Sequence, residues 1–106
     1  MPLDQRKGFT LNYRNKKLLE AVRQLPCQVC GIEDGTVVAA HSNQQRHGKG
    51  TSIKAHDWAI AALCFTCHSE LDQGSKYNKE TRMAVWDKAF ERTLHLLWER
   101  AIIEVR

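Results

Sequence analysis

A small α+β domain is what this sequence predicts, from three observations. Two Cys-x-x-Cys pairs, Cys27 with Cys30 and Cys64 with Cys67, use all four cysteines of the chain. Between the pairs lie two short apolar stretches separated by a polar, glycine-containing segment, the pattern of a strand, a loop and a second strand. Apolar residues at helical spacing precede the first pair and follow the second.

With 106 residues, the chain is expected to fold as a single domain, 1–106, because a second would be too short to bury its own core. It is 42% hydrophobic and 26% charged, with no apolar run near the roughly 20 residues a membrane span needs and no signal-peptide pattern at its start. A soluble, cytoplasmic protein with no membrane partner is therefore expected. In that setting disulfides are disfavoured, whereas the two-plus-two spacing suits four thiolates on one structural Zn²⁺. A redox Cys-x-x-Cys would explain only one pair and needs a thioredoxin-like strand-helix context that is absent. Gly31, directly after the first pair, permits the positive-φ turn that folds backbone under a bound ion.

Taken in order, residues 1–13 mix basic and polar types without periodicity and are expected to form a flexible arm. From Arg14 to Leu25 a helix is expected, with Leu18, Leu19, Val22 and Leu25 at helical spacing and Pro26 ending it before Cys27. Glu33-Asp34-Gly35 marks a turn. Thr36 to Ala40 is β-branched and apolar, a short strand ending at His41. Ser42 to Lys54 is polar and signals a long surface loop, a length usually functional or disordered. Trp58 to Leu63 is the expected second strand, returning to the cysteines before a helix opens near Cys64.

The last helix is expected within 77–104, from about Lys79 to Ile103. Met83, Trp86, Phe90, Leu94, Leu97 and Ala101 form its apolar stripe. Asn78 can cap it, and Glu80 lies in the first turn, where the helix dipole favours an anion. Such a helix would span about 40 Å, long for this domain, so it is also a candidate contact for a homodimer or a partner protein.

A strand ending in His41, a polar loop, a second strand and a helix opening with Cys64-x-x-Cys67-His68 follow the order of a ββα-metal arrangement. On these residues the chain resembles the HNH endonucleases, and among them the YbcO-like family of small nucleases carried by phages and prophages. The matching residues are Cys27-Gln28-Val29, Ala40-His41, Lys54, Asp57 ahead of Ile60, and Cys64-x-x-Cys67-His68-x-Glu70-x-Asp72. The resemblance extends from about Leu25 to the C-terminus. It implies a treble-clef core, with the N-terminal helix and the long C-terminal helix added to it, and metal-dependent hydrolysis of phosphodiester bonds in DNA.

Under that resemblance His41 is the general base, a task suited to a side chain whose ordinary pKa is about 6.5. His68 and Asp72 stand four apart, on one helix face, and can hold a second divalent cation together. Mg²⁺, Mn²⁺, Ni²⁺ and Zn²⁺ all suit such a mixed imidazole and carboxylate pair. Asp57 either orients His41 or binds the ion. Two departures stand out: Ala40 occupies the place where many members carry an acidic or histidine ligand, and Ala59 falls near the position of a middle asparagine, with Asp57 and Asn43 the nearest polar substitutes. His47 and His56 are candidate ligands whose commoner fate in a loop is solvation, and His95 is read as structural.

The net charge of +4 suits a polyanion as partner. Arg46, Lys49 and Lys54, in the loop beside His41, are the expected phosphate contacts, which position nucleic acid without reading its sequence. Two other functions compete with the endonuclease. One is a non-catalytic zinc-binding module that contacts DNA or a protein and has an incomplete second metal site, for which Ala40 argues. The other is an adaptor built on the long helix, which would leave His41, His68 and Asp72 without a common purpose.

Overall fold

The structure, a computed structural model, describes residues 12–106. Its elements are α1 (Lys16–Val22), β1 (Val38–His41), a 3₁₀ turn (Gln45–His47), β2 (Ile60–Leu63), α2 (Phe65–Asp72) and α3 (Lys79–Glu99). Three helices on a two-stranded sheet make the chain α+β, as its sequence predicts. No helix among the described residues is long and apolar enough to cross a membrane.

Most of the arm expected over 1–13 lies outside the described residues. Asn12 and Tyr13 are described, and both are tied down. The Asn12 Nδ2 donates to Gly48 O at 2.8 Å and to Lys54 O at 2.9 Å, and Tyr13 N–H donates to His56 Nδ1 at 3.0 Å. The first helix is shorter than the Arg14 to Leu25 expectation. Asn15 is its cap, accepting from Leu18 N–H at 3.0 Å, so the helix starts only at Lys16. Beyond Val22 the chain runs through turns to Pro26, burying Val22 and Leu25.

The sheet is a hairpin, with Val38 opposite Leu63 and His41 opposite Ile60. All four residues of β2 are buried. Both polar groups of Ala62 that point away from β1 find partners: Ala62 N–H donates to Thr93 Oγ1 at 3.0 Å, and Gln28 N–H donates to Ala62 O at 2.8 Å. The outer edge of the sheet is thereby closed by α3 and by the first cysteine turn, which leaves no ladder groups free at that position.

The loop between the strands is not the loose surface segment its composition suggests. After Ser42 it forms the 3₁₀ turn and a tight bridge between Gly50 and Ile53. Gly48 lies at φ +88, and a Cβ there would stand 2.9 Å from both Asn12 Nδ2 and a His56 carbon, so glycine is required twice over. Arg14 adds hydrogen bonds to Ala55 O at 2.6 Å and Lys54 O at 2.9 Å.

The last helix also corrects the sequence reading. It ends at Glu99 rather than Ile103, which shortens it to 21 residues, about 31 Å. Ala101 takes a left-handed φ of 57, Ile102 N–H donates to Leu97 O, and Ala101 N–H donates to Trp98 O, the double bond of a Schellman stop. Its buried stripe is Trp86, Ala89, Thr93 and Leu97. Met83, Leu94 and Ala101, assigned to that stripe from hydropathy, are exposed. The small side chains at 89 and 93 are what let α3 approach the all-buried β2.

Candidate metal centre and catalytic cleft

The first cysteine turn follows α1, and the second opens α2. Gly31 has φ +81 and donates to Cys27 O at 2.9 Å, while Cys27 N–H donates to Ile32 O at 3.0 Å, closing the first turn. Cys64 caps α2, its Sγ accepting from Cys67 N–H at 3.4 Å. The result places Cys27, Cys30, Cys64 and Cys67 with sulfurs within 4.8 Å of one another, positioned to bind a metal ion. None is in a disulfide. The Cys30 and Cys64 sulfurs are 3.7 Å apart, close to the ~3.8 Å edge of a tetrahedron with ~2.3 Å zinc–sulfur bonds.

The four thiols are not alike. Burial alone would raise Cys27, but backbone N–H groups of Cys30, Cys64 and Val29 around its sulfur bring it down to about 6. Burial and the neighbouring sulfurs push Cys64 and Cys67 up. A cation entering this cluster must therefore displace protons, and its affinity rises with pH.

A cleft of about 1030 Å³ opens between the end of β1, α2 and the first turns of α3, and His41, Asn43, Arg46, His68, Asp72 and Arg82 are among its lining residues. His41 reaches it because the strand ends there. His68 and Asp72 reach it because they share one face of α2, and they touch, Nε2 to Oδ2 at 3.1 Å. Asn43 Nδ2 donates to the other Asp72 oxygen at 3.1 Å. So His41, His68 and Asp72 line one space.

Asp57 stands behind His41 rather than in the cleft. It is 3% exposed, and its Oδ1 lies 2.7 Å from His41 Nε2 and 3.2 Å from Arg14. Its Oδ2 accepts from Asn15 N–H at 2.7 Å. Burial pushes this carboxyl up, yet the bonds from His41 and Asn15, with the Arg14 charge, hold it below the usual carboxylate range. An ionised carboxylate can only accept, so His41 carries a proton on Nε2, and in the neutral ring the lone pair is on Nδ1. Of the two roles open to Asp57, the contacts are those of the orienting one.

Other expectations change. Among the described residues the four cysteines are the only group of three or more ligand side chains close enough for one ion, so the second cation would have just His68 and Asp72 from protein. His47 is neither solvated nor a ligand. It is 8% exposed, bonded to Ser42 Oγ at 2.6 Å and packed against Trp58, Trp86 and Phe90, and burial lowers its pKa. His56 stacks on Trp58 and accepts from Tyr13. His95 sits on the exposed face of α3 beside Glu99, with no packing role.

Of the three expected phosphate contacts, only Arg46 lines the cleft, and it is paired with Asp87 at 3.2 Å. Lys49 and Lys54 do not line it. The other cations that do, Lys79 and Arg82, lie at the start of α3, which its packing pattern alone did not flag. Comparison with protein-family models, with curated proteins and with solved structures returns no match.

Proposed function

We propose that this chain is an HNH-type, metal-dependent endonuclease of ββα-metal, treble-clef architecture, with DNA as substrate and a structural Zn²⁺ on the four cysteines. One observation carries the reading. His41, oriented by the buried Asp57, faces the same cleft as the touching pair His68 and Asp72. A packing histidine needs no buried carboxylate behind it and no open cleft before it.

In this mechanism Asp57 accepts the Nε2–H of His41 and fixes the ring, and Nδ1 takes a proton from water as the water oxygen attacks phosphorus. The bond to the 3′ oxygen breaks. A divalent cation held by His68 and Asp72 would supply positive charge for the phosphate and the departing oxygen. Asn43 would hold the Asp72 carboxylate in place, the service that outer partners give to metal-ligating carboxylates.

The non-catalytic zinc module keeps one specific point in its favour, the absence of a third side-chain ligand beside His68 and Asp72 among the described residues. The experiment is a cleavage assay of purified protein on duplex, single-stranded and branched DNA with each of Mg²⁺, Mn²⁺, Ni²⁺ and Zn²⁺. Cleavage of any form that depends on the added cation is expected. Binding without cleavage in every combination would overturn the endonuclease in favour of the module.

A further inference from the structure

We propose that Lys79 and Arg82, on the first turns of α3, form a phosphate subsite of the cleft that takes a nucleic-acid backbone phosphate next to the one at His41. This rests on the cleft being the nucleic-acid site. The carrying observation is an unmet donor: the Arg82 Nε is buried and has no hydrogen-bond partner, although the side chain borders a roomy cleft. An unsatisfied N–H on a cation is costly, and an anion in the cleft that drew the guanidinium round towards it would satisfy it.

The charges around the cleft support the assignment. Arg46 is already met by Asp87, which also accepts from Gln44 at 2.7 Å. Asp72, the only acid among the lining residues, is engaged by His68 and Asn43. Lys79 and Arg82 have no carboxylate partner among the described residues. Two cations are left over on one wall, and an anion is the ligand that balances them.

Their position follows from packing. Trp86, one turn beyond Arg82 on the same face of α3, donates its indole N–H to Ala40 O at 3.1 Å. Ala40 is the residue before His41. The bond from α3 to the end of β1 therefore helps to place Arg82 on the same cleft as the strand end that carries the base. A planar guanidinium offers Nε–H and a terminal N–H side by side, the donor pair that matches two oxygens of one phosphate.

The test uses the full chain in a His41→Ala background, so that DNA stays intact, with a fluorescein-labelled duplex and a labelled four-way junction. Affinity is measured between about 50 and 200 mM salt. Arg82→Gln is expected to lower the slope of log K against log salt by about 0.9, one phosphate contact, and Lys79→Gln to do the same. Arg82→Lys should restore the slope, which a packing role would not predict, and Lys88→Gln, outside the cleft, should leave it unchanged. The Arg82 Nε–H resonance, identified by its loss in Arg82→Lys, should shift when duplex is added.

An unchanged slope in Arg82→Gln with an unmoved resonance overturns the subsite, and so does failure of the parent protein to bind either DNA. If the wild type cuts DNA while the Arg82→Gln slope is unaltered, only the subsite falls. If binding depends on Arg82 and nothing is cut, the subsite stands and the endonuclease falls.

Discussion

Asp57 ties together the start of α1, the inter-strand loop and the end of β1, through Asn15, Arg14 and His41. Because its folded-state pKa is depressed, its contribution to stability is present above the ordinary carboxylate value of about 3.9. That contribution is lost as pH falls through the lower folded value. Asp57→Asn keeps the shape but removes the charge, and should cost about 2 kcal/mol at neutral pH, the scale of hydrogen bonds to a charged group. Denaturant melts of both proteins, run from neutrality towards about pH 4 and below, should show the gap narrowing as Asp57 protonates. A gap that stays constant, or none at neutral pH, would contradict this account of the residue. The sequence pointed to Asp57 by its place in a motif but left it between ligand and orienter. Its burial, and the Arg14 and Asn15 donors more than 40 residues away, decide between them.

At the scale of elements, α3 is held to the sheet by polar bonds as well as by apolar contact. Thr93, fully buried, accepts from Ala62 N–H and donates to Ala89 O at 2.8 Å. Thr93→Val is nearly isosteric yet leaves Ala62 N–H without its acceptor, which should cost about 1–3 kcal/mol in urea melts. Thr93→Ser should recover most of it, and equal stability of the Val and Ser variants would contradict the role. This interface also explains what the pattern of hydropathy missed. Ala89 and Thr93 are buried on α3, with Thr93 bonded to β2, and both are less hydrophobic than the exposed Met83 and Leu94, so a stripe drawn on hydropathy is rotated off the buried face. The strands, by contrast, were legible to within two residues, because a short β-branched run between turn signals is a local pattern. The order of the loop was not, since the donors that fix it come from Asn12 and Arg14 across the chain. Arg82 was equally invisible, as a cleft wall exists only after α3 has docked.

At the scale of the whole molecule, the four cysteines join the segment after α1 to the start of α2, and so link both ends of the hairpin. We expect Cys64→Ser to lose the bound ion and to unfold, because binding at such a site is folding free energy in a chain this small. Metal analysis alongside circular dichroism checks it, and a folded variant with unchanged metal content would remove the site from the account. The cysteine spacing was legible because it is written in the sequence. The cleft was half legible, as His41, His68 and Asp72 were named while its basic wall was not. The central claim is that the cleft hydrolyses phosphodiesters with His41 as base. Its most direct test is the turnover of His41→Ala on whichever DNA form the wild type cuts, with melting temperature and DNA affinity measured in parallel. General-base assistance is worth about 10²–10⁴-fold, so a rate loss of that size with folding and affinity preserved is the predicted result, and a loss below about tenfold would contradict it.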